Sequence, residues 1–156
     1  MSEKLELSDL KLVGISVLKS TFERNISIDF KTWEKDNDSY KFGVVPSLAG
    51  VKGDPNSARI ILEASLFTPQ YEAENEPFYI DVKTAFYFKD TAKYENEDNI
   101  VSRYGANMVS MAFPYVRSYL QTITALSGIT SVTVPPINVF ELFKDMAKNS
   151  NKKWSL

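Results

Sequence analysis

The side chains that could do chemistry in this sequence are carboxylates. Glu72, Glu74 and Glu76 stand at alternate positions, and Glu95, Glu97 and Asp98 form a second acidic group. Paired carboxylates can serve as general acid and base on a glycosidic bond, and clustered oxygens can hold a hard cation. Neither group has the spacing of a calcium loop, and both lie in polar connections where solvation accounts for them. The sequence has no histidine and no cysteine. That removes the usual general base, the thiolate nucleophile, the disulfide framework and the commonest metal ligands. The expectation is a protein without catalytic residues, metal or cofactor.

What remains is contact chemistry. Ten Phe, eight Tyr and four Met sit in a chain of 156 residues that is 44% apolar. Each buried aromatic ring covers about 150–250 Å², and apolar burial yields about 25 cal/mol per Å². Eighteen basic against twenty acidic residues leave a formal charge of -2, too weak a field to imply nucleic acid or an anionic membrane as partner. The length suits one domain. The first residues, Met1-Ser2-Glu3-Lys4, lack the apolar stretch of a signal peptide, and no run reaches the ~18 apolar residues of a spanning helix. A cytoplasmic protein with no membrane insertion is expected.

Two hydrophobic periods organise the chain, changing at the acidic segment 94–99. Before it the pattern is that of strands. Phe78, Ile80, Val82, Thr84, Phe86 and Phe88 alternate with Tyr79, Asp81, Lys83, Ala85, Tyr87 and Lys89, the period-two signature of a half-buried strand. Ile60, Leu62, Ala64 and Leu66 repeat the pattern, as do Ile26, Ile28 and Phe30. The stretch 10–18 is more continuously apolar, and 40–45 is a shorter candidate followed by the turn residues Pro46, Gly50, Gly53 and Pro55. About four strands in an antiparallel sheet are predicted.

After the acidic segment the pattern is helical. Residues 104–127 contain one charged side chain, Arg117. Val109, Ala112, Phe113, Val116, Leu120 and Ile123 form one apolar stripe, and Met108, Met111, Tyr115, Tyr119 and Leu126 form a second on a neighbouring face. A helix on a single sheet needs only one stripe, so the second predicts contact with another subunit. Pro114 predicts a kink or a fresh helix start near Phe113, and Gly128 a left-handed cap. Residues 129–137 form an extended crossover through Pro135 and Pro136. Asn138 then opens a last helix with Glu141 at its third position.

Phe113-Pro114-Tyr115-Val116-Arg117, then Val134-Pro135-Pro136-Ile137-Asn138, then Phe140-Glu141-Leu142-Phe143 resemble, in order and spacing, motifs of the SecB family of export chaperones. That family carries an FPYAR-like helix opening, an L-x-P-[VI]-N-like turn and an ALF-like triplet. The resemblance is good over residues 104–143. In the strand half it is one of pattern, with Trp33 where the family has a tryptophan and Phe78-Tyr79-Ile80-Asp81-Val82 similar to an FLCEV-like stretch.

The resemblance implies an α+β fold: a four-stranded antiparallel sheet packed with a long helix and a short C-terminal helix. A single domain is expected over 1–148, with strands in about 8–89, helices in about 96–148 and a polar tail at 149–156. It implies a homotetramer, a dimer of dimers with the long helices between, which gives Met108, Met111, Tyr115, Tyr119 and Leu126 a partner. It implies binding of unfolded polypeptide clients by Trp33, Phe78, Val132, Val134, Ile137, Phe140 and Phe143. Delivery to the SecA translocation motor is expected through Glu23, Tyr79 and Asp81, although Ser20 stands where the family often has a further acid. The alternatives are a SecB-like chaperone dedicated to one antitoxin of a toxin-antitoxin system, and a purely structural oligomeric subunit.

Overall fold

The computed structural model describes residues 9–37, 39–129 and 132–134. In chain order they form β1 (Lys11–Arg24), α1 (Phe30–Asp36), β2 (Phe42–Val51), β3 (Asp54–Leu66), β4 (Phe78–Lys89) and α2 (Ile100–Leu126). The strands make one antiparallel sheet in the order β1-β4-β3-β2. Strands β2, β3 and β4 are successive antiparallel neighbours. The connection through α1 carries the chain from the β1 edge to the opposite edge, a Greek-key arrangement.

The period-two pattern of β3 and β4 sets the inner face. Ile60, Leu62, Phe78, Ile80, Val82 and Phe86 are completely buried there beneath α2. Helix α2 contributes Met108, Val109, Ala112, Val116 and Leu120 to the same core. Its start is a capping box: the Ser102 amide donates to Asn99 Oδ1 at 3.0 Å and the Asn99 amide donates to Ser102 Oγ at 3.0 Å. The helix continues through Pro114 as one element instead of restarting near Phe113. The carbonyl that proline leaves without a donor belongs to Ser110, four residues back and exposed to water, so its cost is small. Gly128 ends the helix at φ 79° as expected.

Two strand expectations are corrected. Ile26, Ile28 and Phe30 form no strand: Ile26 is 92% exposed and Phe30 opens α1. The side chain of Asn25 prevents extension by bending the backbone. Its Oδ1 accepts from the Ser27 amide at 3.1 Å, and its Nδ2 donates to the Glu76 carbonyl at 3.0 Å. The second correction concerns the turn residues. Pro46 and Gly50 lie within β2 and Pro55 within β3, while Gly53, at φ 82°, makes the turn.

Pro46 is tolerated because of where its nitrogen points. The Phe67 amide donates to the Lys41 carbonyl at 2.7 Å, and the register runs from Phe42↔Leu66 to Pro46↔Leu62 without a shift. Antiparallel pairs alternate between bonded and non-bonded, so Pro46 falls in a non-bonded pair and its missing N–H is on the outer side of an edge strand. Strand β1, the other edge, contains no proline, and its register shifts between Leu12 and Gly14 and between Val17 and Lys19. Val13, Ile15, Val17 and Leu18 are all about half exposed.

The expected last helix from Asn138, the polar tail 149–156 and the first residues of the chain lie outside the described residues.

Candidate peptide-binding groove

Aromatic side chains from three elements, β1, α1 and β4, and from the connections at Tyr40 and Phe67 meet at one end of the inner face. Phe78 of β4 stands at the centre, with ring centroids of Phe67, Phe30 and Phe22 at 5.0, 5.9 and 6.1 Å. Trp33 of α1 packs edge-on against Phe67 at 5.4 Å and tilted against Tyr40 at 5.9 Å. The short helix positions these rings by burying Phe30 and leaving Trp33 and Tyr40 half-buried above it.

The crossover closes this aromatic end into a groove. Arg117 Nε donates to the Val134 carbonyl at 3.0 Å. The Val132 amide donates to Thr124 Oγ1 at 3.0 Å, and that hydroxyl donates into the helix at the Leu120 and Gln121 carbonyls. Residues 132–134 are thereby strapped along α2. Between the strap and the sheet lies a groove of about 320 Å³ lined by Ser39, Tyr40, Phe42, Leu66, Val132, Thr133 and Val134. That volume is near the low end of small-ligand sites, about 300–1,000 Å³, and suits one or two side chains of a longer molecule.

The expected client-lining residues divide. Val132 and Val134 do line the groove, but they are only 2% and 3% exposed. The expectation that a proline-bounded crossover resists burial is corrected, because Arg117 and Thr124 satisfy its backbone and hold it down. Phe78 is corrected too: it is completely buried and organises the wall from behind. Trp33 is half-buried beside Tyr40. Ile137, Phe140 and Phe143 lie outside the described residues. The sequence reading missed Tyr40, Phe42 and Thr133 as lining and Arg117 as the strap. The signal for Arg117 was available, since a lone charge on an otherwise uncharged helix needs a partner.

The expected docking acids on the outer face of the sheet, away from α2, are differently placed. Asp81 is 5% exposed and paired with Lys19 at 2.7 Å, while its Oδ1 is buried without a hydrogen bond. The Lys19 ammonium is held above its usual range chiefly by that hydrogen bond, then by the Asp81 charge. Burial, followed by the neighbouring Asp81, raises the Tyr79 hydroxyl, which stacks on Tyr71 at 6.4 Å. The Tyr71 hydroxyl donates to Glu72 at 3.0 Å and is pushed up to about 12, first by that bond and then by burial, with Glu23 adding to the effect. Glu23 is exposed and acts on Tyr71 together with the exposed Glu72, so of the two expected acids only Asp81 is covered.

The acidic groups weighed for catalysis are ion-paired or solvated. Glu74 and Glu76 meet Lys41 at 2.8 and 3.1 Å. Glu95, Glu97 and Asp98 lie exposed in the connection to α2.

Three side chains of the second helix stripe are open. Met111, Tyr115 and Leu126 are exposed at 38%, 52% and 83%, and Tyr119 is half-buried with its hydroxyl donating to Ser20 Oγ of β1 at 3.0 Å. Met108 is corrected to the core, where it is completely buried. Tyr115 lies against Phe86 at 6.3 Å, and Phe86 pairs with the exposed Ile15. The open side of α2 and the inner side of β1 thus form one apolar strip.

This fold, an antiparallel four-stranded sheet carrying a long helix, is SecB-like. It is similar to the SecB-like chaperone Rv1957 of Mycobacterium tuberculosis, solved in complex with a ChAD peptide from the HigA1 antitoxin, at TM-score 0.62 and 13% identity over 83% of this chain and 88% of that one. A protein of unknown function from Streptococcus agalactiae matches at TM-score 0.46 and 13% identity over 83% and 99% of the two chains, too distant to carry an argument. No family model matches the sequence. An uncharacterized protein of Methanocaldococcus jannaschii is 33% identical over 88 residues, 56% of this chain and 55% of that protein. The chain thus spans about half the length of the curated relative it matches.

Proposed function

We propose that this protein is a holding chaperone without catalysis of its own, binding extended segments of non-native polypeptide in the crossover groove while associated with further copies of itself. The observation that carries the reading is the groove: an apolar slot whose floor is an aromatic cluster and whose lid is strapped by two side-chain hydrogen bonds. A slot of this size accepts an apolar side chain of any shape, and open ends let the client continue beyond it. Repetition of the site in an assembly multiplies affinity without improving any single contact. The apolar strip of Ile15, Val17, Met111 and Tyr115 supports self-association, and a tetramer built as a dimer of dimers accords with it.

A second reading, a chaperone dedicated to one antitoxin, has an observation in its favour. General delivery to SecA calls for exposed acids, and Asp81 is covered and neutralised by Lys19. The similar fold of the Mycobacterium protein, whose partner in that complex is an antitoxin peptide, supports the same direction.

The test is whether the assembled protein delays refolding of a slow-folding precursor diluted from denaturant. Thr133→Glu is the companion variant, because Thr133 lines the groove yet is exposed, so stability should change by no more than about 0.5 kcal/mol. The wild type should delay refolding. The variant should need about tenfold more protein, the penalty of about 1–3 kcal/mol for a polar group in an apolar contact. No delay at saturating protein would overturn general holding and leave the single-client reading, which binding of a cognate antitoxin segment alone would support.

A further inference from the structure

A groove of about 490 Å³ is on the other side of the sheet from the crossover. Three of its lining side chains, Val13, Val51 and Tyr87, are exposed apolar residues at 54%, 49% and 39%. Its charged lining residues are Arg59 and Lys89, both cations. The Tyr87 ring leans over Gly14, where a side chain would meet its Cδ2 at 3.4 Å. The missing Cβ lets the ring lie toward β1.

The charges around this groove are arranged unlike those elsewhere on the same face. Lys11 stands directly opposite Lys89, as Lys19 stands opposite Lys83. Like charges facing across a ladder are destabilising. At the second pair Asp81 supplies the counter-charge through Lys19. At the first, neither Lys11 nor Lys89 nor Arg59 has an ion pair among the described residues. Asp54 feels the Lys89 charge, and its carboxylate accepts from Ser57 Oγ at 2.6 Å and from the Asn56 amide at 3.1 Å. Three cations at or beside an apolar slot are therefore without an ion pair among the described residues.

We infer that this outer-face groove is a second peptide site, taking an extended segment in which apolar side chains alternate with carboxylates. The apolar residues would enter the slot beside Val51 and Tyr87, and the carboxylates would meet Arg59 and Lys89. In an extended chain the apolar side chains recur about every 7 Å on the face toward the slot, and the carboxylates on the other face would be met by the long side chains of Arg59 and Lys89 reaching past the segment's backbone. The site shares no residue with the crossover groove and does not rest on the holding function. It selects by charge, whereas the crossover groove has no charged lining residue.

The probe is a short fluorescein-labelled peptide of alternating leucine and glutamate, with its leucine–lysine counterpart as control, measured by anisotropy against the full chain. The acidic peptide should bind at least about tenfold more tightly than the basic one, whose remaining affinity is that of the uncharged crossover groove. Raising the salt from ~0.1 M to ~1 M, which shortens the screening length from about 10 Å to about 3 Å, should weaken binding. The double variant R59E/K89E should lower affinity at least about tenfold, and Thr133→Glu should leave it unchanged. Amide shifts of the wild type on peptide addition should centre on Val51, Arg59 and Tyr87, a readout that stands whether or not the double variant folds. Binding that ignores both charge reversal and salt, or shifts centred on the crossover, would overturn the proposal, as would equal binding of the basic peptide. Binding that appears only after removal of residues 1–8, with their Glu3 and Glu6, would also overturn it by giving the groove to the chain's own leading segment.

Discussion

The two edges of this sheet are both unpaired among the described residues, yet they are built on different terms. Edge β2 carries Pro46 with its missing N–H directed outward, keeps one side against the core through Leu48 and Val44, and is anchored at its start by Lys41 held between Glu74 and Glu76. Edge β1 also packs side chains on the core, Leu12 and Phe22, and is tied by Lys19 to Asp81, but it contains no proline and exposes Val13, Ile15, Val17 and Leu18. Natural sheets block edges that must not pair. The difference teaches where the proposed self-association would fall: on β1, whose apolar side chains are open, and not on β2, which a proline guards.

The largest effect is expected from charging the bare edge. Ile15→Lys with Val17→Lys should reduce the assembly to monomer mass in sedimentation velocity. Two apolar side chains, each contributing about 1.5–3 kcal/mol when buried, correspond to a loss of association of at least about a hundredfold. Val45→Lys on β2, a residue of similar exposure, should leave the mass unchanged. Equal responses at the two edges would end the distinction. A smaller effect should follow from unblocking β2. Pro46→Thr restores a donor to the edge and should produce slow growth of species larger than the native assembly, followed by light scattering over days; a stable native mass would show that Pro46 is not what keeps β2 single.

The smallest effect concerns the anchor of β2. The Lys41 hydrogen bond holds the Glu74 carboxyl below its ordinary value of 4.5. A depressed carboxyl contributes stability above its unfolded value and loses it as pH falls through the folded one. Amide exchange in the connection between β3 and β4 should accelerate relative to the rest of the sheet as pH drops below that ordinary value, and Lys41→Met should remove the extra acceleration. Lys41 itself is raised, chiefly by its hydrogen bond to Glu74 and then to Glu76, so its share is present at neutral pH and lost only as alkaline pH passes its folded value.

The residues that repeat with a clean period were legible in the sequence: β3, β4, the main stripe of α2 and the cap at Gly128. Met108 was not. It is one step along the helix from Val109, and which of two adjacent apolar stripes faces the sheet depends on a helix rotation that periodicity leaves free. The segment 26–30 alternates as a strand would, but the turn bonds of Asn25 decide its fate. In the groove, the apolar character of Val132 and Val134 was legible. Their burial was not, since it depends on Arg117 and Thr124, residues 17 and eight positions away along the chain. Exposure of Asp81 failed as an expectation for a similar reason: Lys19 covers it from 62 positions away.

Pro46 has a consequence best put in the language of polymer chemistry. A sheet with two reactive edges is a bifunctional monomer, and step growth from such monomers has no natural end. One pyrrolidine ring makes this chain monofunctional. Were two copies to join edge to edge at β1, the union would consume the open edge of each, the count along the sheet direction would stop at two, and excess concentration would not extend it.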